Sequence, residues 1–107
     1  VKIKDISIYA EINKIPQKSF DLISAIHILE HVPDPLRFLK KIKKFMKLDS
    51  YLFIEVPTWK SLGGPLRLAH LSHFEPEVLK YMCELVGLNV ICSEFTPHLV
   101  LICQLKP

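Results

Sequence analysis

Two short apolar segments, separated by one amphipathic segment, constrain this chain more than any other feature of its sequence. The first, Phe20–Ile26, is mostly apolar, as expected of a strand buried on both faces. The second, residues 51–56, is rich in aromatic and β-branched side chains and is followed by Pro57. Between them, apolar residues recur at steps of three and four. Strand-like segments that alternate with helix-like segments predict an α/β layered fold.

The amphipathic segment is predicted to be a helix that begins at Asp34 and Pro35. An aspartate can cap the free N–H groups of the first turn, and proline suits the first helical position. The apolar face includes Leu39, Ile42 and Met46. The opposite face has lysines at positions 40, 41, 43, 44 and 47. No aromatic residues alternate with these lysines to stack on bases, so we interpret them as a solvated outer face and not as a phosphate-binding stripe.

The remaining segments complete the α/β alternation. Residues 3–9 can form a short strand, and residues 11–19 read as a loop. Residues 58–72 have no clear period and predict a long loop, a feature that is often functional. A second helix is expected to begin at Pro76 and to end at Gly87. Two final strands, at 88–95 and 98–105, are predicted to form an antiparallel hairpin.

Composition limits the classes of protein to which the chain can belong. Its 107 residues fit a single small domain, residues 1–107. No apolar run approaches the roughly 18–20 residues that a membrane-spanning helix needs, and no signal peptide is evident. The net charge of +3 is too small to imply a nucleic-acid partner. The cysteines at 83, 92 and 103 lack CxxC spacing, so we interpret them as reduced, buried thiols of a cytoplasmic protein.

Sequence motifs in a fixed order resemble class I S-adenosylmethionine-dependent methyltransferases. FDLI at 20–23, followed by HILEHVPDP at 27–35, resembles the fourth-strand motif of that family. YLFIEVP at 51–57 looks like its fifth strand. HLSHFEPE at 70–77, with LVGL at 85–88, resembles its next helix and the exit into strand six, although Glu75 replaces the usual Ser or Thr cap. The resemblance covers residues 20 to about 90.

The resemblance implies a partial Rossmann-like sheet, strands three to seven of a three-layer fold, truncated at its N-terminus and closed by an antiparallel hairpin. The family's glycine-rich GxGxG motif and the acidic residue that ends its second strand are absent from residues 1–19. In the family, strands one and two lie between strands three and four. We therefore expect Phe20–Ile26 to be an exposed apolar edge, which either pairs in a homo-oligomer or is covered by residues 3–9.

The resemblance also implies roles for residues that follow the fourth strand. Ala25, Ile26 and His27 match positions beside the methionine part of S-adenosylmethionine, contacted through backbone atoms; alternatively, His27 faces solvent or the sheet edge. Glu30 is a candidate catalytic residue that orients the acceptor or takes a proton, unless it accepts backbone N–H groups at the turn. His31 is placed on the substrate side, with packing under the following helix as the alternative.

Two further histidines lie at the end of the long loop. His70 and His73 are three residues apart, a spacing that puts them on one face of a helical turn. We expect His70 to contact the acceptor as a catalytic residue, and His73 to order the junction on the substrate side. No third ligand is suggested by spacing, so no metal site is predicted. His98 is predicted to be incidental.

Two functions are compatible with these features. In the first, the intact protein transfers a methyl group from S-adenosylmethionine to a small-molecule acceptor. Residues 1–107 alone are then expected to be inactive, with weak cofactor binding or none. In the second, the chain is a truncated, non-catalytic homologue that acts as a binding or scaffold partner. Neither function involves nucleic acid or a membrane.

Overall fold

The computed structural model describes residues 2–3, 6–57, 74–95 and 98–107. Two 3-10 turns, Ile12–Lys14 and Leu29–His31, lie between the longer elements. The strands and helices are β1 (Lys2–Ile3), β2 (Ile6–Ser7), β3 (Phe20–Ile26), α1 (Pro35–Lys43), β4 (Met46–Pro57), α2 (Pro76–Leu85), β5 (Leu88–Glu94) and β6 (His98–Leu105).

The main sheet has the strand order β3-β4-β6-β5. Strands β3 and β4 are parallel, with α1 as the crossover between them. Strand β6 is antiparallel to both β4 and β5. The predicted α/β sheet, with a parallel pair followed by an antiparallel hairpin, is confirmed.

One face of this sheet forms the hydrophobic core. On β4, Leu52, Ile54 and Val56 are fully buried, and they lie opposite buried residues of β6. Both described helices pack on this same face, through Leu39 of α1 and Leu79 of α2. The alternate residues of β3 and β4 point to the other face, which includes Leu22, Ile26, Tyr51, Phe53 and Glu55. We call this second face the open face, because no helix of the described ranges packs on it.

The boundary between α1 and β4 differs from the sequence prediction. Met46, predicted on the helix, is the first residue of β4 and is fully buried. The register between β3 and β4 shifts at this point, since Phe20 lies opposite Met46 whereas Leu22 lies opposite Tyr51. The buried Ser50 hydroxyl accepts the N–H of Lys47 and donates to the carbonyl of Phe20. These hydrogen bonds hold residues 47–50 as an irregular extension of the strand.

The N-terminal segment also differs from prediction. The strand predicted at 3–9 is replaced by β1 and β2, two short strands that pair with each other in a separate sheet. The expectation that this segment adds a strand to the main sheet is therefore wrong for the described residues. Strand β3 pairs with β4 on one side, and no strand of the described ranges is paired with its other edge. Leu22 on this strand is 64% exposed.

The cysteines divide between the interior and the surface. Cys83 and Cys103 are buried and unbridged, as predicted. Cys92 is exposed on β5, so the prediction of a third buried thiol is wrong. Among the described helices, none combines the length and the apolar character that crossing a bilayer requires.

Candidate functional site

Three side chains able to bind protons or metals meet at one end of the main sheet. His27 directly follows β3, and Glu55 lies close to the end of β4. His98 begins β6, where it lies opposite Pro57 of the antiparallel β4. This is the carboxyl end of the parallel pair β3–β4, the end at which open α/β sheets bind their ligands. We call these residues the His27–Glu55–His98 cluster.

The distances within the cluster are short. The Nε2 atom of His27 lies 2.9 Å from Oε2 of Glu55. The rings of His27 and His98 meet edge to face, with centroids 5.0 Å apart and an interplanar angle of 76°. One candidate ligand atom from each of the three residues lies within 4.8 Å of the other two. The cluster is therefore compact enough for its members to act on one bound group.

The backbone holds His27 against β4 in a conformation that a histidine seldom adopts. Its φ angle of +53° lies in the left-handed region, which is unfavourable for a residue with a side chain. Its N–H donates to the carbonyl of Glu55 at 2.8 Å, which continues the β3–β4 pairing one residue beyond β3. Such backbone strain persists where the surrounding structure fixes it, and it is concentrated at functional sites.

The cluster combines an exposed side with a buried polar atom. The side chain of His27 is 42% exposed and that of Glu55 is 23% exposed. His98 is half-buried, and its Nδ1 atom is buried without a hydrogen-bond partner among the described residues. Buried nitrogen atoms are seldom left unpaired in proteins. The site is thus open to solvent at His27 and has an unused polar atom at His98.

The structure places Glu30 in the Leu29–His31 turn, three residues after His27. Its residue exposure is 2%, and neither carboxylate oxygen has a hydrogen-bond partner within the described parts of the chain. Nε2 of the neighbouring His31 lies 3.8 Å from Oε2, and the His31 side chain is 45% exposed. Glu30 is therefore a buried carboxylate that no backbone N–H of the described residues satisfies.

Of the other predicted site residues, two lie beside His27 and two lie outside the described residues. Ala25 is buried and Ile26 is exposed, and both lie at the end of β3 beside His27. His70 and His73 lie outside the described residues. Sequence analysis missed Glu55 and His98 as members of a site. The signal for Glu55 was present, since it is the one charged residue in the otherwise apolar segment 51–56.

The comparisons with known proteins decide the family. A family model described as a methyltransferase domain matches residues 4–93, which is most of the chain. The chain belongs to this methyltransferase family. No curated protein sequence matches it.

Solved methyltransferases share the fold of the chain at low sequence identity. A putative methyltransferase in complex with the Haloferax volcanii Trm112 methyltransferase activator superposes with a TM-score of 0.76, at 11% identity, over 100% of this chain and 65% of that one. The 1,6-didemethyltoxoflavin-N1-methyltransferase of Burkholderia thailandensis, with bound 1,6-didemethyltoxoflavin and S-adenosylhomocysteine, gives 0.74 at 15% identity, over 94% of this chain and 50% of that one. A putative type 11 methyltransferase from Sulfolobus solfataricus superposes with a TM-score of 0.69 at 19% identity, over 92% of this chain and 57% of that one.

These values confirm the methyltransferase fold. The chain spans between 50% and 65% of the length of these structures. The activity of a whole methyltransferase is therefore a proposal for this chain.

Proposed function

We propose that the chain is the acceptor-side part of an enzyme that transfers the methyl group of S-adenosylmethionine to a small molecule. Methyl transfer is an in-line displacement, so the protein must align the acceptor atom, the methyl carbon and the sulfur. The observation that supports this proposal most strongly is the His27–Glu55–His98 cluster. It places polar groups at the carboxyl end of a sheet that belongs to a methyltransferase family.

Residues 25–27 are proposed to lie beside the methionine part of the cofactor. They end β3, whose outer edge is not paired with any described strand. Backbone groups on that outer edge are therefore available to a ligand. The His27 N–H already donates to the carbonyl of Glu55, and Ala25, two residues earlier on the strand, turns its backbone groups to the same side. This leaves the backbone of Ile26 for the contact on the outer edge.

Glu30 is proposed to orient the acceptor or to take its proton. A buried carboxylate without a partner is unfavourable, and a bound polar ligand would supply that partner. His31 is proposed to lie on the substrate side of the same turn. His70 is proposed to contact the acceptor and His73 to order the junction before α2, both in the part of the chain outside the described residues.

The experiment is transfer of labelled methyl groups from S-adenosylmethionine to a panel of small molecules. It uses the protein with whatever coding sequence precedes Val1. Replacing Glu30 with Gln is expected to lower kcat by about 10²–10⁴ with a smaller effect on KM, the range for loss of a general acid or base. The control is Asp21→Asn, which changes an exposed carboxylate at the far end of β3. Absence of labelled product with the wild type contradicts the proposed methyl transfer. Equal kcat values for Glu30→Gln and Asp21→Asn contradict the role of Glu30.

A second function, binding or scaffolding without catalysis, is favoured by a different observation. The unpaired edge of β3 and the exposed Leu22 and Ile26 suit pairing with another chain, and we propose a homo-oligomer formed across residues 20–26. This assembly is compatible with either function. The unbridged cysteines support a cytoplasmic location, where thiols stay reduced.

A further inference from the structure

The His27–Glu55–His98 cluster has the donor set of a metal site. Two imidazole nitrogens and one carboxylate oxygen, with a fourth position left open, are one of the ligand combinations that zinc uses in catalytic sites. Imidazole and carboxylate also suit other first-row divalent cations. We infer that the cluster binds one such cation, with Zn²⁺ as the ion that best fits three ligands of this kind.

The geometry requires small movements. Zinc–nitrogen and zinc–oxygen bonds of about 2.0–2.2 Å in a tetrahedral site place ligand atoms about 3.3 Å apart. The His27 Nε2 and Glu55 Oε2 atoms, at 2.9 Å, are slightly closer than this. The ligand atoms all lie within 4.8 Å of one another, so an approach of at most about 1.5 Å brings them to the separation found around zinc. The two rings meet edge to face and are not stacked.

The ligands are presented by hydrogen-bonded strands of the main sheet and by the residue that directly follows β3. The ligands come from the end of β3, from β4 and from the start of β6, which are neighbouring strands of one sheet. Sites built on strands hold their geometry better than sites built on loops. The left-handed backbone of His27 and its hydrogen bond to the Glu55 carbonyl fix the position of the first ligand relative to the second.

Burial and exposure in the cluster also suit a bound cation. His98 has a buried Nδ1 atom with no hydrogen-bond partner among the described residues, and coordination to a metal is one way to satisfy such an atom. His27 is partly exposed, which provides an entry path and leaves the fourth coordination position facing solvent. Water or a ligand oxygen can occupy that position.

A consequence for catalysis follows, and it rests on the proposed function. His27, Glu55 and His98 would hold the cation, which would stabilise the deprotonated form of an acceptor hydroxyl, with the proton released to water. The acceptor oxygen would then form a bond to the methyl carbon as the carbon–sulfur bond breaks, and S-adenosylhomocysteine would leave. Metal binding itself does not depend on this step, so the two can be tested separately.

The test is titration of residues 1–107 with Co²⁺, followed by visible absorption, and with Zn²⁺ by calorimetry, both without S-adenosylmethionine. We expect one ion per chain, a visible band typical of a four-coordinate Co²⁺ site, and displacement of Co²⁺ by Zn²⁺. His98→Gln and Glu55→Gln are each expected to weaken metal binding by at least about tenfold. Mutation of a residue that only hydrogen-bonds a metal ligand already lowers metal affinity by about 10–100-fold.

The controls are Glu94→Gln and Cys92→Ser, which remove an exposed carboxylate and an exposed thiol on β5. Both are expected to leave the affinity unchanged. Thermal unfolding of each variant separates loss of the site from loss of the fold. Absence of a saturable band in the folded wild type, or equal affinities for Glu55→Gln and Glu94→Gln, overturns the metal site. Saturable metal binding here, together with no labelled product in the methyl-transfer assay described under the proposed function, leaves the site standing and contradicts the proposed function.

Discussion

At the scale of single residues, the backbone conformation at Gly87 restricts which amino acids can occupy that position. It ends α2 with a φ angle of +88°, a conformation that glycine adopts without strain. An added Cβ would also lie 2.6 Å from Nζ of Lys43, although this flexible side chain can move away. The backbone strain therefore dominates the effect of any substitution.

We predict that Gly87→Ala lowers the free energy of unfolding by about 1–2 kcal/mol, the cost of a left-handed residue with a Cβ. Gly87→Asn is the matched variant, because asparagine tolerates this conformation better than alanine. Thermal denaturation should show a larger decrease in Tm for alanine than for asparagine. Equal Tm values for Gly87→Ala and the wild type would contradict the expected backbone strain at position 87.

The cysteines give a second prediction at this scale. The pKa of the buried Cys83 thiol is raised by its hydrogen bond to Cys103 and by burial. A raised pKa leaves less of the reactive thiolate at mildly alkaline pH, and burial excludes the reagent. Iodoacetamide at such a pH is expected to label Cys92 alone in the native chain and all the cysteines in denaturant. Mass spectrometry of peptides measures this; native labelling of Cys83 would contradict it.

The residues of the site were only partly predictable from the sequence. His27 was found through a motif, because its position directly after β3 is fixed by local order along the chain. Glu55 and His98 join it through pairing of β4 with β6, between segments distant in sequence. Spacing along the chain therefore gave no indication that His27, Glu55 and His98 meet in the fold.

At the scale of elements, helix starts were predicted better than helix ends. Asp34 and Pro35 start α1 as expected, and the Asp34 carboxylate accepts the Arg37 N–H at 3.0 Å. These signals are local, so the sequence contains them in full. The end of α1 was misplaced because burial of Met46 and the bonds of Ser50 depend on β3, which is distant in sequence.

The two helix caps provide a paired prediction. Asp34→Ala is expected to lower the free energy of unfolding by about 1 kcal/mol, because an N-cap hydrogen bond is lost. Glu75→Ala is the control, since Glu75 caps α2 without a side-chain hydrogen bond. Urea denaturation should show a shifted midpoint for the first variant and almost none for the second. Equal shifts would mean that the Asp34 bond contributes nothing specific.

At the scale of the whole molecule, the sheet is covered on one face and unpaired at one edge within the described residues. Motif order along the chain predicted this sheet well, because each motif belongs to a separate strand or helix. It did not predict β1 and β2, which lie outside the motifs and pair with each other. We propose that the edge of β3, which is unpaired within the described residues, governs assembly.

We predict that the chain forms a homodimer through β3. Leu22→Lys places a charge on the edge strand and is expected to produce a monomer. Leu48→Lys is the control, because Leu48 is similarly exposed, at 63% against 64%, but lies on β4. Light scattering after size-exclusion chromatography gives the mass of each. A monomeric wild type, or equal masses for both variants, would contradict pairing through β3.

Binding of S-adenosylmethionine tests the central claim most directly. Calorimetry should compare residues 1–107 with the protein that includes the coding sequence before Val1. Residues 1–19 contain no glycine-rich loop of the kind that binds the cofactor in this family. We therefore predict no measurable binding of S-adenosylmethionine by residues 1–107 and micromolar binding by the longer protein. Micromolar binding by residues 1–107 alone would contradict the claim that this chain is the acceptor-side part of a methyltransferase.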